Sequence, residues 1–312
     1  ALQALGELQL KNKMQDVVAQ TLNAYYEIVR QKQLIKAIKE SSKISEERVS
    51  LSQKKLDVGY SDKTPLLQAK VDYSSQQLNI LKQETVLEQA KVSLNNLLGR
   101  DANRLFEVID TIIVDYQPNL ISIKDTDLIV NFSIQSELKN INIAKFQHKE
   151  IKSQRLPQIN FNSSYTFSQN NSKAGLMLLN RSYGPSVGLN ATIPIFSGGK
   201  VKKQLESSAV NIASQHVQLN VLKNKMDAQI LTAYKNFEYA QKIRKLNEQM
   251  LEDASENVRL SLERFRLNQT TSVEVKQAQG SYEDALYNVV LSNYTAKQAE
   301  IELRRLCNEL VK

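Results

Sequence analysis

Residues that could carry acid–base, nucleophilic or metal chemistry are few and far apart. The chain has one cysteine, Cys307, and two histidines, His148 and His216, which lack partner ligands at the spacing of a metal site. The run Gly198-Gly199-Lys200 lacks the upstream glycine and the following Ser or Thr of a phosphate-binding loop. The sequence therefore predicts no enzyme, no catalytic residue, no metal site and no cofactor. We expect Cys307 to be a packed side chain and both histidines to lie on the surface.

The composition indicates long helices rather than a loop-rich globular domain. The 312 residues include only 9 Gly and 5 Pro, and no apolar run is long enough for a transmembrane helix. The net charge of +8 is spread along segments in which basic and acidic residues alternate, so no nucleic-acid partner is predicted. The chain opens at Ala1 in a helical pattern without a signal peptide. We expect that a signal was removed or that the chain is a fragment.

Helical patterns cover most of the chain. They run over 1–58, from about 64 to 98, over about 126–155, over 200–267, and from about 272 to near Leu310. Gly59 can adopt positive φ and end the first helix, and Asp62 or Thr64 can cap the second. Apolar residues in the second helix follow a coiled-coil seam at Leu87, Ala90, Leu94 and Leu97. The first hundred residues are therefore predicted to form an antiparallel helical hairpin.

Two runs between Pro157 and Gly199 alternate like strands. Odd positions from Ile159 to Phe167 and from Val187 to Ile195 are largely apolar, whereas the even positions from Asn160 to Ser168 and from Ser186 to Thr192 are polar or glycine. Each run has about 10 residues, the length of a tilted strand that crosses a bilayer. A β-hairpin lying on a soluble core would give the same pattern, but the helices offer no such core. We expect a polar connection over Gln169–Ser182.

An internal repeat relates the two halves of the chain. Leu22-Asn23-Ala24-Tyr25 matches Leu231-Thr232-Ala233-Tyr234, an offset of 209. The same offset pairs Gln68-Ala69 with Gln277-Ala278 and the turn at Gly59 with the turn at Asn268. The sequence therefore predicts two similar helical hairpins that point in the same direction.

These residues resemble the TolC-like outer-membrane efflux proteins. The resemblance rests on Asp57-Val58-Gly59, Leu66-Leu67-Gln68-Ala69, Leu94-Asn95-Asn96-Leu97-Leu98-Gly99, Leu156-Pro157, Pro194-Ile195-Phe196-Ser197-Gly198-Gly199 and Ala233-Tyr234. It spans nearly the whole chain, although an N-terminal strand pair is missing and Asn268 replaces the glycine expected at the second tip.

The resemblance implies a mainly α fold with a small β part. Long antiparallel helical hairpins would form an α-barrel, and a transmembrane β-hairpin would contribute to a trimeric β-barrel. The expected segments are a helical hairpin over 1–99, an equatorial segment and helix over 100–156, the β-hairpin over 157–199 and a second helical hairpin over 200–312. The implied protein is a homotrimeric exit duct for small molecules or proteins in tripartite efflux or type I secretion. It would lie in the outer membrane, extend into the periplasm and meet a periplasmic adaptor and an inner-membrane pump.

Three sets of site residues follow from the strand pattern and the resemblance. The lipid-facing row is predicted at Phe161, Tyr165, Phe167, Leu189 and Ile193, with Asn160, Asn162, Asn190 and Thr192 facing the lumen. The adaptor-contact tips are predicted at Gly59, Tyr60, Ser61, Asp62, Lys63, Thr64, Asn268, Gln269, Thr270 and Thr271. The resemblance implies a pore constriction at Glu274, Gln277 and Phe265.

Other interpretations of the tips, of Glu274 and of the class of protein stay open from the sequence alone. The tips could be plain solvent-exposed turns, and Glu274 could be an acid that favours a helix N-terminus. A periplasmic adaptor also carries helical hairpins, but it would need short strands of a lipoyl-like domain. A coiled-coil structural rod would leave the alternating strands unexplained. Nothing in the sequence identifies the exported substrate.

Overall fold

The computed structural model describes residues 2–118, 131–171 and 179–311. Within these ranges the protein is mainly helical, with one two-stranded antiparallel sheet. The elements are α1 (Leu2–Asp57), α2 (Lys63–Leu97), α3 (Phe132–Ser153), β1 (Gln158–Asn171), β2 (Leu179–Thr192), α4 (Lys200–Arg266) and α5 (Ser272–Leu306). Among the helices of the described part, none combines the length and apolar character that a bilayer span needs.

The predicted repeat is present in the backbone residue by residue. Helices α2 and α5 each contain 35 residues, and both of their ends are related by the offset of 209. The turn residues obey the same offset, because Gly59 has φ +73° and Asn268 has φ +59°. Asparagine tolerates the left-handed region better than most residues, so Asn268 can replace a glycine there. The substitution at the second tip therefore leaves the turn intact.

The chain divides into two compact units. One, called here the strand unit, comprises Ala1–Gly6 and Ser136–Leu222, and the other, the helical unit, comprises Glu7–Gln135 and Lys223–Lys312. In the helical unit, Ile28 and Val29 of α1 pack against Leu94 of α2 and against Val108. Val108 belongs to the extended segment after α2, where Lys32 Nζ donates to its carbonyl oxygen at 3.1 Å. Leu87, Ala90 and Leu94 of the predicted seam thus contribute to a small apolar core, whereas Leu97, also predicted there, is exposed.

The sheet of the strand unit is a long regular hairpin. Its 14-residue strands pair from Gln158 with Thr192 to Asn171 with Leu179. Directly opposed residues share a face of a sheet, so the register places Phe161 beside Leu189 and Asn160 beside Asn190 on opposite faces. The alternation predicted from the sequence is therefore confirmed in its pairing.

Three expectations need correction, and a fourth cannot be compared. The strands extend into the stretch predicted as a connection over Gln169–Ser182, because polar residues there continue the ladder. Helix α5 ends at Leu306 rather than near Leu310, since Asn308 takes φ +56° and stops it as Gly99 stops α2. The predicted start of the third helix near 126 lies outside the described residues. His148 is half-buried rather than on the surface, with its Nδ1 2.5 Å from Ser208 Oγ.

Candidate functional site: an exposed β-hairpin and two helical tips

The apolar row of the β-hairpin is open to the surroundings in the single chain. Phe161 is 67% exposed and Leu189 is 74% exposed, and Tyr165 and Phe167 are exposed to a similar degree. Ile193, also predicted in this row, lies one residue beyond the end of β2 and is exposed as well. A contiguous apolar strip of this kind is unusual on a surface that only water contacts.

The opposite face of the hairpin is polar throughout its described length. Asn160 and Asn190 lie side by side on it, with Asn162 and Thr192 on the same face. Ser164 Oγ and Ser186 Oγ, further along this face, are 2.8 Å apart and hydrogen-bonded. The hairpin therefore presents one face suited to an apolar medium and one suited to water.

The first helical tip is a tight turn closed by local hydrogen bonds. Tyr60 N donates to the Lys55 carbonyl oxygen at 2.8 Å, and Gly59 in the left-handed region allows this reversal. Asp62 caps α2, since its Oδ1 accepts from Thr64 N at 2.8 Å. Gly59, Tyr60, Asp62, Lys63 and Thr64 are exposed, and Ser61 is half-buried.

The second tip repeats this design with different residues. Gln269 N donates to the Arg264 carbonyl oxygen at 2.8 Å, and Thr271 caps α5 by accepting from Glu274 N. Asn268, Gln269 and Thr271 are exposed, and Thr270 is half-buried. Three apolar side chains next to the tips, Val58, Leu267 and Val273, are also exposed. None of them was predicted as a site residue. Their positions next to the predicted turns were the only signal for them.

The predicted constriction residues do not share one environment. Glu274 and Gln277 are exposed on α5, whereas Phe265 is only 4% exposed. Phe265 packs with Leu262 and Val275, and Lys55 Nζ lies 3.6 Å from the centre of its ring. Burial also lowers the pKa of Lys55. In one chain, Phe265 is thus a core residue of the tip.

Glu274 takes part in the N-terminal cap of α5. Thr271 Oγ1 accepts from its backbone N–H at 3.3 Å, and Thr270 Oγ1 donates to its carboxylate. This is the helix-start role that the sequence left open as the simpler interpretation. It leaves the carboxylate exposed, so a ring of such groups from several chains stays a prediction.

A buried polar cluster joins the two helical hairpins close to the tips. Its members are Ser41, Ser45 and Arg48 on α1, Asp72 and Gln76 on α2, and Gln279 and Glu283 on α5. Arg48 is 1% exposed and donates to Asp72 Oδ2 at 3.2 Å and to Gln279 Oε1 at 3.1 Å. Glu283 Oε1 accepts from Ser41 Oγ at 2.5 Å and from Gln76 Nε2 at 2.7 Å.

This cluster was not predicted from the sequence, although its residues recur at helical spacing. Ser41, Ser45 and Arg48 lie on one face of α1, and Asp72 and Gln76 on one face of α2. Burial opposes ionisation of Asp72, but hydrogen bonds from Lys276 and Gln68 and the charge of Arg48 outweigh it, and the pKa of Asp72 is lowered. The cluster therefore holds an ionised carboxylate between the hairpins.

The sequence also matches a known protein family and two of its relatives. A family model described as outer membrane efflux protein matches residues 3–100 and 128–309. The outer membrane efflux protein BepC of Brucella suis is 21% identical over 297 residues, covering 93% of this chain and 64% of BepC. The proteases secretion protein PrtF of Dickeya chrysanthemi is 19% identical over 224 residues, covering 69% of this chain and 47% of PrtF. This chain thus spans less than two thirds of the length of either relative.

Solved structures support the same fold. The outer-membrane channel OprN superposes with a TM-score of 0.79 at 14% sequence identity, over 98% of this chain and 68% of that chain. At this identity the likeness concerns the fold alone. The family model, in contrast, covers most of the sequence, including both helical hairpins and both strands. The chain belongs to the outer membrane efflux protein family.

Proposed function

We propose that this chain is one subunit of an outer-membrane exit duct of a tripartite efflux or type I secretion system. The observation that carries the proposal is the two-faced β-hairpin, with an exposed apolar row from Ile159 to Phe167 and a polar row behind it. About 9–11 residues of a tilted strand cross a bilayer, which this row matches. Small molecules or proteins would pass from an inner-membrane pump to the outside. BepC and PrtF, named for efflux and for protease secretion, support both cargo classes.

Several copies are needed for such a duct. The strand edges of one hairpin have backbone groups that find no partner in lipid, and only a closed barrel satisfies them. We therefore infer an oligomer in which strands of several subunits close one barrel, and the resemblance to TolC-like proteins implies that it is a homotrimer. The apolar row would face lipid, and Asn160, Asn162, Asn190 and Thr192 would line the lumen. The two helical hairpins of each subunit would form the α-barrel on the periplasmic side.

This assembly can be tested by extraction and mass measurement. We expect the protein to stay with membranes through high-salt and alkaline washes and to enter solution only with detergent. Light scattering of the detergent-solubilised protein should then give the mass of a trimer. A monomer that is soluble in plain buffer would contradict the proposal and favour a periplasmic adaptor or a structural coiled coil.

The tips are the proposed contact with the periplasmic adaptor and, through it, the pump. Support comes from their exposed turns, which include Tyr60, and from the exposed side chains of Val58 beside the first tip and of Leu267 and Val273 beside the second. Charge reversal by Asp62→Lys with Lys63→Glu should weaken drug resistance in cells without lowering trimer yield. The control reverses an exposed ion pair within α4, by Glu256→Arg with Arg259→Glu. Unchanged resistance in the tip variant would move the docking surface elsewhere on the helices.

A further inference from the structure

The foot of the β-hairpin carries a dense group of basic side chains, which we call the basic collar. Its members are Lys145, Lys149 and Lys152 on α3, Arg155 in the following turn, and Lys200, Lys202 and Lys203 at the start of α4. All seven are exposed, and only two acidic residues, Glu150 and Glu206, lie in the same two stretches. Within the described part of the chain, one ion pair is recorded in the collar, Lys203 with Glu206 at 2.7 Å. The collar is therefore a strongly positive surface.

The collar lies directly next to the apolar row. Arg155 precedes the first residue of β1 by three positions, and Lys200 follows the last residue of β2 by eight. Gln158 pairs with Thr192, so both strand ends meet at this foot. The apolar row begins there, with Ile159 opposite Ala191. If the row crosses the hydrocarbon layer, the collar falls at the depth of the lipid headgroups.

Exposed apolar side chains are interspersed with the basic ones. Ile195 is 96% exposed and Phe196 is 89% exposed, between the end of β2 and the start of α4. Leu156, beside Arg155, is exposed too, and Lys149 Nζ lies 5.6 Å from the ring centre of Phe146. Mixed basic and apolar side chains suit the boundary between headgroups and acyl chains, where both find partners.

Helix stabilisation does not explain the lysines of α4. The first turn of a helix has a partial positive charge and favours acids, yet this turn contains Lys200, Lys202 and Lys203 and no acid. Their mutual repulsion adds to this cost. An external negative charge removes both penalties, and a surface of anionic headgroups supplies one to every collar residue at once.

We propose that the basic collar binds anionic phospholipid headgroups in the leaflet from which the helices emerge. The inference rests on the proposed function, because it needs the hairpin to be in a membrane. Lysine and arginine near an anionic bilayer are attracted within roughly a Debye length, about 10 Å at 0.1 M salt. The collar therefore fixes the depth of the hairpin and enriches phosphatidylglycerol-type lipids around the subunit.

Lipid selectivity tests this directly. The full chain is reconstituted in phosphatidylcholine vesicles that contain trace spin-labelled phosphatidylglycerol or spin-labelled phosphatidylcholine, and the motionally restricted fraction of each is measured. We expect the anionic label to be preferred by about threefold at low salt, and the preference to shrink as salt rises. The variant Lys152→Gln/Lys200→Gln/Lys202→Gln should lose most of it. The matched control Lys223→Gln/Lys225→Gln/Lys245→Gln changes three exposed lysines further along α4 and should keep it.

The outcomes separate the two proposals. Failure of the chain to enter vesicles would contradict the exit duct itself. Entry without a preference for the anionic label, or an equal loss in both triple variants, would overturn the collar alone. Displacement of the anionic label by millimolar inorganic phosphate would also overturn it, because a discrete phosphate site rather than a lipid surface would then be responsible.

Discussion

The two helical hairpins share their turns and caps but have different side chains at equivalent positions. Turns, caps and helix ends of α1–α2 recur in α4–α5 at the offset of 209. Ser41 and Arg48, which lie in the buried polar cluster, correspond to Met250 and Asn257, which are exposed on α4. Turn residues and seams, which the two halves share, therefore define each hairpin. Positions where the two halves differ, such as Ser41 and Arg48, define how one hairpin contacts the other.

Loss of Arg48 is the largest effect that this comparison predicts. Arg48→Ala would leave Asp72 and Gln279 without a buried donor, at a cost of about 3 kcal/mol in the free energy of unfolding. Asn257→Ala, the equivalent change in the second hairpin, should have little effect because Asn257 is exposed. Thermal unfolding of the detergent-solubilised protein, followed by circular dichroism, measures both. Equal shifts in the melting temperature of the two variants would show that the difference between Arg48 and Asn257 does not affect stability.

The free energy of unfolding should depend on pH through Asp72. The equivalent position in the second hairpin, Ser281, has no carboxylate. The pKa of Asp72 is lowered in the folded protein, so the ionised carboxylate contributes stability at neutral pH. That contribution is complete above the unfolded value, about 3.9, and is lost as the pH falls through the lower folded value. Asp72→Asn should therefore reduce the stability measured at neutral pH and flatten its decline in acid. A variant whose acid profile matches that of the unaltered protein would rule out this role.

The two tips should respond differently to substitution. Gly59→Ala introduces a Cβ at φ +73° and is expected to cost about 1 kcal/mol. Asn268→Gly keeps the left-handed conformation at the second tip; it relieves Cβ strain but makes the unfolded chain more flexible, so the net change should be smaller than for Gly59→Ala. Chemical unfolding of the two variants gives the comparison. A large loss for Asn268→Gly would mean that the asparagine side chain itself holds the second tip.

Glu274 permits a test in which stability barely changes. The side-chain oxygen of glutamine can still accept from Thr270 Oγ1, so Glu274→Gln should preserve the start of α5 while it removes a charge. If three copies converge on the axis, the variant should lower the cation selectivity of the channel in planar bilayers and weaken block by multivalent cations. Asp62→Asn removes an exposed acid at the first tip and keeps its cap, so it serves as the control. Equal selectivity in the Glu274 variant would leave this residue as a helix-start acid only.

Local patterns made much of the fold predictable. The helix ends at Asp57 and Arg266, the turn at Gly59 and the face-to-face pairing of Phe161 with Leu189 all follow from spacing and turn chemistry. Strand length was underestimated because the ladder continues through polar residues that also suit a loop. The polar cluster could not be found, since helical spacing shows that Ser41 and Arg48 share a face but not which helix covers it.

Thiol accessibility along the β-hairpin tests most directly whether this hairpin crosses a membrane beside an aqueous lumen. Single cysteines at Phe161 and Leu189 on one face, and at Asn160 and Asn190 on the other, would be made in a Cys307→Ala background and exposed to a membrane-impermeant thiol reagent in intact membranes. We expect fast labelling at Asn160 and Asn190 and protection at Phe161 and Leu189 until detergent is added. Equal labelling of the two faces before detergent would contradict it.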